Sequence, residues 1–122
     1  MSRRKDIRLR EKVAFDQRNG VPDGSGGEVM AWVLGYSCHA EFIYSRGSEA
    51  VDAARLEGRS VFKIRIRQSA GARLIETDWR MRDLRRGPQT GPLSGEEYNI
   101  REVDAITDRK WVFLVVESGV AV

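Results

Sequence analysis

A strict alternation of apolar and basic side chains in RSVFKIRIRQ, residues 59–68, is the sequence feature that most limits the fold. Successive side chains leave a β-strand on opposite faces, so a period of two predicts a half-buried strand. One face is apolar and must pack against a core; it holds Phe62, Ile64 and Ile66. The other face is cationic and holds Lys63, Arg65 and Arg67. We call these three cations the basic strip. They can face water, a neighbouring protein subunit or the phosphates of a nucleic acid.

Further segments have a β-like composition and are separated by turn-forming stretches. We predict a short strand in REKVAFDQR, two strands within 29–44 that break near Gly35 or Ser37, and strands in RLIETDWRMRD, YNIREV and KWVFLVVES. Residues 111–116 are all apolar, which predicts a central strand buried on both faces. About seven short strands indicate a mainly β fold, a small antiparallel barrel or sandwich.

The chain changes period in GSEAVDAARLEG, residues 47–58, where one short helix is predicted. Ser48 suits the N-cap of this helix and Gly58 suits its end. A helix of about nine residues is marginal alone and must dock on the sheet or on another subunit. Its charged residues Glu49, Asp52 and Arg55 are therefore candidates for a subunit interface.

Two long stretches are predicted to be loops. NGVPDGSGGE, residues 19–28, reads as a loop or a long hairpin connection, and its glycine spacing fits neither a phosphate-binding loop nor a dinucleotide fingerprint. RRGPQTGPLSGEE, residues 85–97, begins with two arginines and predicts a long mobile loop. Loops of such length in compact domains are often functional, so we treat this one as a candidate docking loop. Its candidate residues are Arg85, Arg86, Gly87 and Gly91.

Length and charge limit the class of protein further. A chain of 122 residues with 41% hydrophobic and 32% charged residues suits one domain that buries a proper core. The net charge of +3 is mildly basic, and cations crowd the first twelve residues, of which 1–8 are expected to form a flexible basic arm. No apolar run has membrane-spanning length and no signal peptide is evident, so we expect a protein made in a cytoplasm.

Cys38 and His39 are the single cysteine and the single histidine of the chain. One chain can therefore form neither an intramolecular disulfide nor a zinc site of the usual Cys and His ligands. Their adjacency suggests a catalytic dyad, but neighbours in an extended segment point to opposite faces. We expect a small buried Cys beside a surface His, and no catalytic, metal or cofactor site.

Taken in order, RLREKVAF, the glycine-rich loop, the aromatic strand, SRGSEAVDAARLEGRSVFKIRIRQS, IETDWRMRD, YNIREV and WVFLVVESG resemble the phage head-tail joining family. These are small adaptor, stopper or head-closure proteins of long-tailed phages and gene transfer agents. The resemblance extends from about Leu9 to Gly119, and the loop from Arg85 to Glu97 is longer than the usual hairpin of the family.

This resemblance implies that residues 1–122 form a single head-tail joining domain, a β-barrel structural protein without enzymatic activity. Copies would assemble as a ring in the neck of the virion, after assembly in the bacterial cytoplasm. The implied partners are other copies of the chain, a portal or adaptor ring above, a tail terminator or tail tube below, and passing double-stranded DNA. No membrane and no cofactor is implied.

Two other classes of protein are considered. A small basic β-barrel can bind nucleic acid, with aromatic side chains stacked on bases. Within 59–68, however, Phe62 lies on the face opposite the cations, so stacking and phosphate contacts do not converge on this strand. A hydrolase is the third class, but the sequence shows only ordinary surface carboxylates.

Overall fold

The computed structural model describes residues 9–43, 60–91 and 93–118. The predicted helix, with Glu49, Asp52 and Arg55, and the predicted basic arm at 1–8 lie outside these described residues. In the part of the chain that is described, no helix is long and apolar enough to cross a membrane. The described segments form a mainly β structure with a single short 3-10 turn.

Six antiparallel strands form a closed barrel in the described chain. They are β1 (Glu11–Pro22), β2 (Glu28–Ile43), β3 (Ser60–Arg67), β4 (Arg80–Asp83), β5 (Glu96–Asp104) and β6 (Trp111–Ser118). Their order around the barrel is β1-β2-β3-β6-β5-β4, and β4 closes the sheet on β1. The mainly β antiparallel barrel predicted from the sequence is therefore confirmed.

The interior of the barrel is filled by alternate side chains of the strands. On β3, Ile64 and Ile66 are fully buried, as the alternation predicts, and the basic strip lies on the outer face. On β6, the inner positions Val112, Leu114 and Val116 are fully buried or nearly so. The outer positions Trp111, Phe113 and Val115 are only partly buried, so the prediction that residues 111–116 are buried on both faces is wrong. In a closed barrel the second face of each strand points outward.

The two strands predicted within 29–44 are a single strand, β2, up to Ile43, so the described residues form six strands where about seven were predicted. The break expected near Gly35 is a β-bulge, because Phe15 pairs with Tyr36 and Asp16 pairs with Leu34. Gly35 is the extra residue, and a Cβ atom built on it would lie 2.7 Å from the Trp79 ring. The bulge therefore admits Trp79 against the backbone without ending the strand.

The strand predicted in RLIETDWRMRD is also shorter than expected. Ala72–Leu74 forms a 3-10 turn, and the strand begins only at Arg80. Trp79 lies before this strand and Met81 within it, and both are buried. The tryptophan and methionine spaced by two thus belong to the core, although only Met81 belongs to a strand.

Half of the stretch 19–28, predicted as a loop or a long hairpin connection, belongs to strands. Residues 19–22 continue β1, and only 23–27 form a turn, in which Asp23 Oδ1 accepts hydrogen bonds from the backbone N–H groups of Ser25 (2.7 Å) and Gly27 (3.1 Å). Strands β1 and β2 pair from Gln17↔Val33 to Pro22↔Glu28, and in the described chain neither pairs with another strand there. We call residues 17–33 the hairpin arm. Over six residue pairs it extends about 20 Å from the bulge.

Gly35→Ala should lower the free energy of unfolding by about 1–3 kcal/mol, because the added methyl group overlaps the Trp79 ring. Urea denaturation followed by Trp fluorescence measures the change.

Gly20→Ala is the matched control, because its Cβ atom meets only the flexible carboxylate of Glu28, at 3.1 Å. It should remain within about 0.5 kcal/mol of wild type. Equal stability of the two variants would show that Gly35 is not required by Trp79.

Candidate interaction surfaces

The basic strip lies against aromatic side chains of β6 on the outside of the barrel. Lys63 Nζ is 4.8 Å from the centre of the Phe113 ring, and the guanidinium groups of Arg65 and Arg67 lie 5.4 Å and 5.2 Å from the Trp111 ring. These distances are those of cation–π contacts. The rings thus hold the cations on the surface of the barrel.

This arrangement corrects the sequence argument that stacking and phosphate contacts do not converge. Phe62, the one aromatic residue of β3, does pack against the core, but Trp111 and Phe113 reach the outer face from the paired strand β6. The sequence of β3 alone does not predict these neighbours, because they depend on how β3 pairs with β6. The outer face therefore combines cations with partly exposed rings.

The three cations of the basic strip differ in their surroundings. Arg65 is half-buried, and its Nε atom donates a 2.6 Å hydrogen bond to Glu41 Oε1 on β2. Lys63 and Arg67 are exposed. Arg67 has no carboxylate within ion-pair distance among the described residues. Arg65 therefore serves the barrel itself, whereas Lys63 and Arg67 are available to a partner.

Asp104 adds an acidic group beside this face. Its Oδ1 atom accepts backbone hydrogen bonds from Ile106 and Thr107, both at 3.0 Å. The Thr107 hydrogen bonds are the main cause that lowers the pKa of Asp104, with a smaller contribution from the charge of Lys63. Lys63 therefore lies in the field of an ionised carboxylate.

The candidate docking loop is exposed from Arg85 to Gly91, as the sequence predicts, and it is fixed at its base. Gly95 N–H donates to the Pro88 carbonyl at 2.7 Å, and Arg82 Nη1 donates to the Ser94 carbonyl at 2.6 Å. Gly95 has φ +109°, and a Cβ atom there would lie 2.7 Å from the Asp83 carbonyl oxygen. The base of the loop therefore needs glycine at this position, while its tip remains free to contact a partner.

Asp83 is fully buried beneath the start of this loop. Its Oδ1 atom accepts the Arg85 N–H at 3.1 Å, and its Oδ2 atom lies 3.4 Å from Arg86 Nε without a hydrogen bond. Both loop arginines predicted from the sequence thus touch Asp83, one through its backbone and one through its side chain. The rest of the Arg86 side chain is exposed.

A buried ion cluster lies on the outer side of β1 and β4, and the sequence analysis missed it. Asp16 Oδ2 accepts hydrogen bonds from Arg80 Nε (2.8 Å) and Arg82 Nε (2.7 Å), and its Oδ1 atom accepts one from Arg82 Nη2 (2.9 Å). Arg80 Nη1 also donates to Glu97 Oε2 at 2.8 Å. Asp16 is fully buried and both arginines nearly so, so each charge depends on its partners.

Trp32 of the hairpin arm lies close to this cluster. The Arg80 guanidinium is 4.7 Å from the centre of the Trp32 ring, and Arg18 lies 5.1 Å from it. The base of the arm is therefore attached to the barrel through Arg80, which contacts both Trp32 and Asp16. The alternation of Arg80 and Arg82 around Met81 indicates that the two arginines lie on the same face of a strand. It does not show that their shared partner is Asp16.

Cys38 and His39 point to opposite faces of β2, as predicted. Cys38 is half-buried against the core, and burial raises the pKa of its thiol to about 12. His39 is exposed on the outer face. Among the described residues, no group of three or more His, Cys, Asp or Glu side chains is placed to hold a metal ion.

Fold and surfaces together define a small closed β-barrel whose polar chemistry lies on its outside and on its loops. The sequence profile of the phage head completion proteins matches residues 4–119, so the chain belongs to this family. The family resemblance seen in the sequence is thereby confirmed. Among curated proteins, none matches the chain significantly.

Two solved structures have a similar fold. A Shigella flexneri 2a protein determined in solution is 20% identical, with a TM-score of 0.64 over 94% of this chain and 96% of its own. A chain of the virion of a native gene transfer agent particle is 22% identical, with a TM-score of 0.56 over 96% of this chain and 100% of its own.

Asp16→Ala should destabilise the protein by about 3–5 kcal/mol, because it leaves Arg80 and Arg82 buried without their shared carboxylate. Equilibrium unfolding in urea, with the slope checked for two-state behaviour, measures the loss.

Glu97→Gln is the control, since the Glu97 side chain is 45% exposed and contacts only one of the two arginines. Its effect should stay below about 1 kcal/mol. A similar loss in both variants would show that Asp16 is not the central charge of the cluster.

Proposed function

We propose that this protein is a structural component of the neck of a phage or phage-derived particle. Copies form a ring beneath the portal, close the DNA-filled head and provide a docking surface for the tail. The match of the head completion family to residues 4–119 carries this proposal, and the fold shared with a chain of a gene transfer agent virion supports it. The protein is made in the bacterial cytoplasm and reaches the particle during assembly.

The proposed partners are other copies of the chain, a portal or adaptor ring on one side and a tail terminator or tail tube on the other. Double-stranded DNA passes the ring transiently, and neither a membrane nor a cofactor takes part. The function is binding rather than catalysis. The engagement of the reactive side chains supports this: Asp16 is bound by two arginines, and the pKa of Cys38 is raised to about 12.

The docking loop supplies the proposed contact with the next component of the neck. Arg85 and Arg86 are exposed at the start of the loop beside Asp83, and the base of the loop is fixed by the hydrogen bonds from Arg82 and Gly95. A loop that is fixed at its base loses less conformational entropy when a partner binds its exposed residues than a loop that is free throughout. The tip can therefore change without loss of the barrel.

Replacing residues 89–93 by two glycines should leave the melting temperature within a few degrees of wild type, since closing a shorter loop costs little. Joining of heads to tails should fail. Electron microscopy of particles made with this variant would show full heads separated from tails.

A same-length replacement of 89–93 by glycine and serine distinguishes loop length from loop sequence. Localisation of the wild-type protein by a labelled antibody tests the proposal as a whole, because labelling should occur at the neck. A protein absent from the neck would contradict the proposed function, and an unfolded loop variant would show that the loop is structural.

Binding of nucleic acid is the second candidate function, because Trp111 and Phe113 lie beside the basic strip. Three phosphate contacts give a salt slope of only about −2.7 in log affinity against log salt, so the strip alone binds DNA weakly at physiological ionic strength. The cations also rest on rings, and Arg65 is paired with Glu41. These contacts favour a protein partner for the strip.

Fluorescence anisotropy with duplex DNA at about 0.15 M salt should therefore show only weak binding by the wild-type protein. The test variant is Lys63→Glu with Arg67→Glu. It leaves Arg65 in place, because that residue holds Glu41 and its reversal would disturb the barrel.

Arg10→Glu with Lys12→Glu provides a control with the same change in net charge at exposed positions outside the strip. Submicromolar binding by wild type that is lost only in the strip variant would assign the strip to nucleic acid.

A further inference from the structure

The hairpin arm exposes apolar side chains that the barrel does not cover. Val29 and Met30 are 52% and 58% exposed, and Leu34, which directly follows the arm, is 54% exposed. Both edges of the arm lack a further strand within the described chain. An exposed, apolar strand edge favours association with another chain. The arm therefore has the properties of an interaction surface.

The charge of the arm indicates what kind of surface it fits. The arm contains one cation, Arg18, which lies over the Trp32 ring at the base, and its carboxylates are Asp23 and Glu28. Asp23 is engaged in the turn, whereas Glu28 has no cation within ion-pair distance among the described residues. Because side chains alternate, Glu28 and Met30 lie on one face of the arm. We call these two residues the arm ridge.

A complementary surface exists on the same chain. Arg67 is exposed beside the partly buried Trp111 ring, and Arg109 and Lys110 are exposed next to it in sequence. This Arg67–Trp111 patch combines cations with an aromatic ring. The arm ridge combines a carboxylate with a thioether, and sulfur contacts to aromatic rings are favourable. Charge and apolar character therefore match between the two surfaces.

The two surfaces of one copy lie too far apart along the sheet to meet each other. The arm ridge belongs to β2, and Arg67 belongs to the neighbouring strand β3. The register Glu41↔Arg65 places Met30 about nine residues, or about 30 Å, beyond the level of Arg67 along β2. A contact between the ridge and the patch therefore joins two copies. Because it uses two different surfaces, such a contact is heterologous, the type that generates rings when its rotation closes.

We infer that the arm ridge of one copy binds the Arg67–Trp111 patch of the next copy, with Glu28 paired to Arg67 and Met30 against Trp111. The inference deepens the proposed function and rests on it for the biological role of the contact. It names the occupant of the patch as a second copy of this chain. Each copy then contributes one arm and one patch.

Cross-linking tests the contact directly. Two single-cysteine proteins in a Cys38→Ala background, Met30→Cys and Lys110→Cys, are mixed and treated with a short bismaleimide, in concentrated solution and on assembled particles. The mixed cross-link should dominate, because the two positions belong to the two proposed surfaces. Met30→Cys mixed with Arg10→Cys is the control, since Arg10 precedes β1 at the other end of the barrel. Mainly Met30 to Met30 cross-links, or a yield equal to the control, would overturn the inference.

A charge exchange tests the ion pair. In the cross-linking proteins, Glu28→Arg alone and Arg67→Glu alone should each reduce the mixed cross-link by at least about fivefold, because like charges then face each other. Glu28→Arg in the Met30→Cys protein, mixed with Arg67→Glu in the Lys110→Cys protein, should restore the yield. A yield that stays low in the exchanged pair would contradict the pairing of Glu28 with Arg67.

Failure of the inference and failure of the proposed function are distinguishable. Labelling at the particle neck without the mixed cross-link would retain the function and reject the arm contact. The mixed cross-link in solution, with no protein at the neck, would retain the contact and reject the function. A loss of duplex binding with Arg67→Glu, without recovery in the exchanged pair, would instead assign the patch to nucleic acid.

Discussion

Closure of the barrel depends on the ion pairs that the Asp16 carboxylate forms with Arg80 and Arg82. Strand β4 has only four residues, and it pairs with β1 from Val13↔Asp83 to Asp16↔Arg80. Arg80 reaches Asp16 on one side and Glu97 of β5 on the other, so a single guanidinium ties the short strand to both neighbours. Arg82 shares Asp16 and holds the Ser94 carbonyl. The charge that closes the barrel therefore also positions the docking loop.

An ion pair also links β2 and β3, a second seam of the barrel at which few residues pair. Among the described residues, β2 and β3 share three residue pairs, and Glu41 and Arg65, directly opposite each other, form an ion pair on the outer face. Arg65 thus belongs to the barrel although it alternates with Lys63 and Arg67. A strip that looks uniform in the sequence contains one structural cation between two available ones. Lys63 and Arg67 can therefore contact a partner without opening the seam that Arg65 holds.

The sequence predicts the strands and inward-facing residues that follow from local periodicity. It does not predict features that depend on contacts between residues far apart in the chain. The alternation at 60–67 correctly identified β3 and its inward residues, because burial of one face imposes a period of two. The sequence predicts a strand break near Gly35, whereas the structure has a β-bulge there. The glycine is required because the Trp79 ring, 44 positions further along the chain, packs against it. Asp16 looked like an ordinary surface carboxylate for the same reason. Its partners at 80 and 82 become visible only once β4 is paired with β1.

The contrast between the barrel and the hairpin arm bears on how copies could form a closed ring. The barrel is held by a continuous core and by ion pairs across its narrow seams, so its surfaces keep fixed relative positions. The arm is attached mainly at its base, where Trp32 lies against Arg80, and its two strands pair only with each other. A two-stranded ribbon twists more readily than a larger sheet. In a heterologous assembly the angle between neighbours decides whether the ring closes. In the proposed contact, the arm is therefore the element that can adjust this angle, while the barrel keeps the Arg67–Trp111 patch in a fixed position.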